Sequence, residues 1–203
     1  MCDNVCVYKK NNYIYYNEET IYDVYSNRHL QGEHNLNNIA FVMAVASILN
    51  LNLKKAQDTI NNFKPLEHRL EYVGKYNDIE YYNDSIATIP EATINGIETL
   101  KNVNTVIIGG KDRGVDLSGL VDYLKTSNVE NIICLPKTGH DMAKQLKNKK
   151  TYTVNNLEEA VCIAKKVTQK NTICLLSPAA SSYGYFKNFE ERGNLYKSLV
   201  RKN

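Results

Sequence analysis

Three stretches of this sequence concentrate hydroxyls, carboxylates, cations and glycines, each directly after a short apolar run. They are Asn83-Asp84-Ser85-Ile86-Ala87-Thr88, Gly109-Gly110-Lys111-Asp112-Arg113-Gly114 and Ser177-Pro178-Ala179-Ala180-Ser181-Ser182-Tyr183-Gly184. Glycine-backed amides together with Lys111 and Arg113 suit an anionic ligand, a carboxylate or a phosphate. One such loop alone implies no ligand, because Asp, Ser, Thr and Gly also serve as turn and capping residues. Gly109-Gly110-Lys111 is not a P-loop. The G-x-x-x-x-G-K-[ST] spacing is missing, and Asp112 stands where a Mg²⁺-binding hydroxyl belongs.

Two further segments carry planar polar groups suited to a nucleotide. Gly32-Glu33-His34-Asn35 opens an apolar stretch with Asn37 and Asn38 close behind, and Glu67-His68-Arg69 follows Pro65. Asn pairs with the edge of adenine, and Arg takes a phosphate bidentately. His34 and His68, beside Asn35 and Arg69, extend this to a nucleotide-contacting set. His29 and His140 lack such partners and read as ordinary structural or surface residues.

Alternating strands and helices are expected to position these residues. Apolar periodicity predicts strands over 70–76, 79–82, 105–108, 131–135, 151–154 and 172–176, and helices over 90–100, 117–126, 139–146, 157–169 and 185–200. Runs such as Val106-Ile107-Ile108 suit strands covered on both faces. The alternation implies an α/β, Rossmann-like, doubly wound and mostly parallel sheet, with ligands beyond the carboxyl ends of the strands. All three polar loops should open on that edge.

Ahead of this lies a different pattern. Residues 35–49 predict a helix buried on most faces and 53–63 a second one, stopped by Pro65. Residues 1–31 are rich in Tyr and Asn, and stretches such as 5–8 and 13–16 read as strands. They hold too few apolar residues for a core of their own and should complete a sheet whose other strands lie elsewhere. The expected boundary divides 1–65 from 66–203.

Composition excludes several classes. The net charge is +3 and the basic residues are scattered, which argues against a nucleic-acid footprint. No apolar run reaches the length of a membrane span, and no signal-peptide pattern follows Met1, so a cytoplasmic location is the default expectation. Of five cysteines, Cys134 and Cys174 sit in apolar runs, and Cys2 and Cys6 have metal-like spacing without a second pair to complete a site. Reduced thiols without a role are expected.

Gly-Glu-His-Asn-Leu-x-Asn (32–38), Leu-Glu-His-Arg-Leu-Glu (66–71), Asn-Asp-Ser-x-Ala-Thr (83–88), Gly-Gly-x-Asp-x-Gly-x-Asp (109–116), Leu-Ser-Pro-Ala-x-x-Ser (176–182) and Phe-Lys-Asn-Phe-Glu-x-Arg-Gly (186–193) occur in this order. The set resembles the Mur ligases, and in its last motif the members that add glutamate to UDP-N-acetylmuramoyl-L-alanine in peptidoglycan synthesis. That motif argues against a folylpolyglutamate-type relative. The resemblance implies that 1–65 ends a central ATPase domain and that 66–203 is the glutamate-binding C-terminal domain. It also implies ATP-driven amide formation through an acyl phosphate. Asn35 and Asn38 would contact adenine, Arg69 the phosphates and Asp84 the ribose side. Thr88, Arg113, Ser182, Tyr183 and Phe189 would hold glutamate.

Two positions depart from the family pattern, Ile86 and Arg113 standing where lysines are usual, and Lys111 is available to compensate. The P-loop, the Mg²⁺ ligands and the UDP-sugar domain belong to family segments outside this sequence. The chain alone is therefore expected to be inactive and to need the missing N-terminal half as a partner, the alternative being a non-catalytic fragment that keeps only a binding surface.

Overall fold

The computed structural model describes residues 7–26, 28–30 and 32–202, the side chain of His34 excepted. Cys2, Cys6, the start of the strand expected at Val5 and the histidine of the Gly32–Asn35 motif therefore lie outside the described residues. The chain divides into two compact units, one ending at Pro65 and one beginning at Leu66.

In the first unit β1 (Val7–Lys10), β2 (Tyr13–Tyr16) and β3 (Glu19–Asp23) pair antiparallel in sequence order. Among the described residues they form a three-stranded sheet with no strand from elsewhere in the chain. The apolar residues they lack come from α1 (Glu33–Ile48) and α2 (Leu53–Asn62). Ile14, Ile21 and Tyr22 pack with Leu36, Ile39, Met43 and Ile60. Leu36, Ile39 and Met43 recur at helical spacing, so α1 buries one stripe. Its other large apolar side chains, Phe41, Val42, Val45 and Ile48, are exposed, Phe41 at 72%. Burial on most faces, as composition predicts, is not found, because the short sheet and α2 cover a single side.

The second unit is a six-stranded sheet in the order β4-β5-β9-β6-β7-β8. Its strands are β4 (Glu71–Tyr76), β5 (Ile79–Asn83), β6 (Val103–Ile108), β7 (Asn131–Cys134), β8 (Lys150–Thr153) and β9 (Ile173–Leu176). All neighbours run parallel except β4 with β5, a hairpin turning on Asn77 and Asp78. Both turn residues have positive φ, 51° and 63°, as a tight hairpin that follows strand twist requires. Between the strands run α3 (Pro90–Leu100), α4 (Ser118–Thr126), α5 (Thr138–Ala143) and α6 (Leu157–Val167), and α7 (Phe189–Arg201) follows β9.

Every residue of β6 is buried, and its side chains alternate between two cores. Ile107 joins Ile133, Leu176, Ala160 and Tyr196 on the α6/α7 face, while Val106 and Ile108 join Ile132, Leu120 and Leu124 on the other. Truncating one such side chain to alanine costs about 2–5 kcal/mol. At the amino ends of the strands Asn131 Nδ2 donates to Asn104 Oδ1 (2.9 Å) and to Val167 O (3.1 Å), so these buried amides are satisfied within the fold.

The helix expected from Tyr185 begins instead at Phe189. Asn188 holds extended backbone (φ −161°) and its side chain accepts from Glu191 N. Glu191 Oε2 in turn accepts from Lys187 N at 2.6 Å. This reciprocal cap fixes the helix start four residues late. Asn156 and Glu159 build the same device at the start of α6.

Candidate functional site

The carboxyl ends of β5, β9 and β6 lie side by side, with Leu176 in register with both Asn83 and Ile107. The three polar loops therefore share one edge. The glycines act differently from what their sequence suggests. A Cβ on Gly109 (φ 110°) would stand 2.5 Å from Leu135 O, and one on Gly110 would stand 2.5 Å from Ser181 O. Their amides do not face a ligand. Gly109 N donates to Pro178 O (2.8 Å), Lys111 N to Ser181 O (2.9 Å) and Gly110 N to Thr138 Oγ1 (3.1 Å). Gly-Gly is thus a seam that lets neighbouring loops approach closely.

A buried arginine completes the joint. Arg192 on α7 is 1% exposed. Its Nε donates to Ser85 Oγ (3.0 Å), Nη2 to Ser85 O (2.8 Å), and both Nη atoms to Ala180 O (3.2 Å). Burial pulls its pKa down to about 10. Ser85 Oγ passes the connection on to Phe189 O (2.7 Å). One guanidinium therefore ties the loops after β5 and β9 to α7.

Two cavities open beside this joint. The first, about 190 Å³, is lined by Thr88, Lys111, Asp112, Arg113 and Ser181. Asp112 Oδ1 accepts from Gly114 N within its own loop (2.8 Å), whereas neither Lys111 nor Arg113 forms an ion pair among the described residues. The second cavity, about 410 Å³, is lined by the apolar Leu135, Leu157 and Phe186, by Ser182, and by the charged Glu158, Glu191 and Arg192. Charge makes the smaller cavity the better receptacle for a carboxylate.

The predicted acceptor set is thus split. Thr88 and Arg113 share the smaller cavity and Ser182, 4% exposed, lines the larger. Tyr183 is 55% exposed and lines neither. Phe189 rests its ring against His68, centroids 5.9 Å apart, and its carbonyl is taken by Ser85.

Of the residues expected at a nucleotide, Asn35 is buried and Asn38 exposed in the first unit, while Arg69 is exposed in the second. His68 is not available as a contact. It is 5% exposed, its Nδ1 lies 2.9 Å from Asn83 Nδ2, and a Cβ on Gly193 would meet that nitrogen at 2.2 Å. Asp84 is also internal. Its Oδ1 accepts from Leu70 N (3.2 Å) and its Oδ2 from Ser177 Oγ (2.8 Å). Burial raises its carboxyl to about 6, against the hydrogen bonds from Ser177 and Leu70 and the charge of Arg69. Among the described residues no three His, Cys, Asp or Glu side chains converge as metal ligands.

Arg192, Gly193, Glu71 and Lys197 form the frame, and sequence reasoning assigned none of them a role. A signal existed for Arg192: it shares the i, i+4, i+8 stripe with Tyr196 and Val200, where a charge is out of place unless paired.

The model of the Mur ligase glutamate ligase domain matches residues 68–180. UDP-N-acetylmuramoylalanine--D-glutamate ligase of Oenococcus oeni is 37% identical over 98% of this chain and 45% of its own length. Its counterpart in Aquifex aeolicus is 35% identical over 86% of this chain and 42% of its own. The chain thus spans less than half the length of these curated relatives. Among solved structures, MurF from Acinetobacter baumannii superposes with a TM-score of 0.66 at 16% identity, covering 84% of this chain and 38% of that one. The UDP-N-acetylmuramate-alanine ligase MurC of Thermotoga maritima gives 0.61 at 20%, covering 83% and 38%. At these identities the structural likeness speaks for the fold.

Proposed function

The chain belongs to the Mur ligase family, and from that premise we propose that it supplies the glutamate-binding part of a ligase joining glutamate to UDP-N-acetylmuramoyl-L-alanine in peptidoglycan synthesis. The observation that carries this reading is the cavity holding Lys111, Arg113, Thr88 and Ser181 at the carboxyl ends of the parallel strands. Two cations without ion-pair partners among the described residues, flanked by hydroxyls, suit a small dicarboxylate: a guanidinium takes one carboxylate bidentately and an ammonium the other. Thr88 and Ser181 then orient the bound molecule, and the Gly-Gly seam with Arg192 keeps the loops in place, so little ordering is left for the moment of binding.

ATP is the energy source in this reading and activates the acceptor's carboxyl when bound. Arg69, exposed, is suited to phosphates, and Asn38, exposed, to an adenine edge. Asp84 contributes by fixing Leu70 beside Arg69. Mg²⁺ ligands, the UDP-sugar site and the phosphate loop belong to the length of the relatives outside the matched region. A cytoplasmic location fits this reading, because nucleotide-linked precursors are made there.

The test is phosphate release by this chain combined with the ligase portion that its relatives carry outside the match, with D- and L-glutamate supplied separately. Release that depends on one isomer is expected. No release with either isomer would sink the reading.

A further inference from the structure

The turn that carries Arg69 is under more backbone strain than a connection requires. His68 (φ 64°) and Leu70 (φ 44°) flank it, and both take the left-handed conformation without being glycine. Such a turn persists only where its surroundings over-determine it. Here they do. Glu71 Oε2 accepts from His68 N and from Asn83 Nδ2, both at 2.9 Å. Its Oε1 accepts from Lys197 Nζ at 3.0 Å, and Lys197 also reaches Glu67 Oε2 at 3.2 Å. Leu70 N is held by Asp84, and His68 O accepts from Ile86 N (3.2 Å). Glycine at 193 is what lets α7 come close enough for Lys197 to join. Within this fully bonded turn Arg69 remains exposed.

We propose that Glu71 and Lys197 are positioning residues that present Arg69 to a nucleotide's phosphates, the strained turn being locked from below by α7. This rests on the reading that Arg69 holds phosphate. It explains why a carboxylate that accepts three hydrogen bonds sits under a turn that glycine could have made unaided. It also ties the phosphate arm to the acceptor loops, because the helix that brings Lys197 brings Arg192 too.

Inorganic tripolyphosphate, titrated calorimetrically into the chain, separates positioning from simple charge. Removing a carboxylate by Glu71→Gln strengthens binding of an anion if only the field matters. If the carboxylate holds Arg69 in place, binding weakens instead, by about tenfold, as for Arg69→Ala. The double variant Glu71→Gln/Arg69→Ala should then bind no worse than Arg69→Ala. Lys197→Gln provides a second route should Glu71→Gln unfold. It should weaken binding in the wild type and have no effect in the Arg69→Ala background, where a directly binding lysine would still count. Lys197→Arg should restore binding, and thermal melting run alongside verifies that each variant is folded. Unchanged or tighter binding by Glu71→Gln overturns the positioning role. Equal binding by wild type and Arg69→Ala, or none by the wild type, overturns the phosphate reading and the inference with it.

Discussion

Replacing Arg192 by methionine keeps most of the apolar length of the side chain and removes its donors. Ser85 O and Ala180 O then lose their charged partner in a place water does not reach, and Ser85 Oγ keeps only its bond to Phe189 O. A buried carbonyl left without a donor costs about 1–3 kcal/mol. Two of them set the loss at about 2–6 kcal/mol, offset in part because the variant no longer desolvates a guanidinium. A net loss of about 3 kcal/mol is a large share of the ~5–15 kcal/mol that holds a domain together. Urea unfolding followed by circular dichroism measures it directly. Arg192→Lys is expected to lie between the two, since a single ammonium lacks the planar fork that reaches Ser85 O and Ala180 O at once. A loss below ~1 kcal/mol in Arg192→Met would refute the claim that this side chain joins the loops.

Asp84 makes stability fall with rising pH. Its carboxyl keeps its proton to about 6 in the fold but releases it from 3.8 upward when unfolded, so its contribution is full below about pH 4 and lost as pH rises through 6. Asp84→Asn should flatten that part of the profile by up to about 3 kcal/mol in urea titrations, and parallel profiles would count against it. Gly193→Ala should destabilise the chain by about 1–3 kcal/mol or more, because the new methyl would stand 2.2 Å from His68 Nδ1. A calorimetric melting temperature equal to wild type would contradict this. Burial pushes the thiols of Cys134 and Cys174 up to about 12, while Cys162 is exposed. Iodoacetamide with peptide mapping should therefore modify Cys162 in the native chain and the other two only after denaturation.

The sheet was legible because its strands are short, uniformly apolar and separated by helices, which leaves one economical arrangement. The edge where the polar loops gather followed from that. Less legible were features set by tertiary neighbours. Whether Phe41 and Val45 on α1 are covered depends on how much sheet lies opposite, which local periodicity does not state. Gly109 and Gly110 advertise free amides in sequence, yet a facing carbonyl decides whether those amides are spent. His68 looked like a ligand contact for its neighbour Arg69, and only the approach of Gly193, more than a hundred residues later, shows that the ring is walled in. Asn188 was readable as a helix cap, but the apolar Tyr185 and Phe186 just before it drew the predicted start too early.

The seam between Gly109–Lys111 and Pro178–Ser181 is made of main chain to main chain, and its frame is fastened by a guanidinium below the surface. The side chains of Lys111, Arg113 and Thr88 line the cavity and make none of the seam's bonds, the one at Lys111 being a main-chain bond. What the pocket selects is therefore separable from what keeps it folded. A library randomised at those three positions should yield folded chains at high frequency, and within it the preference for one amino acid over another becomes a property that can be exchanged.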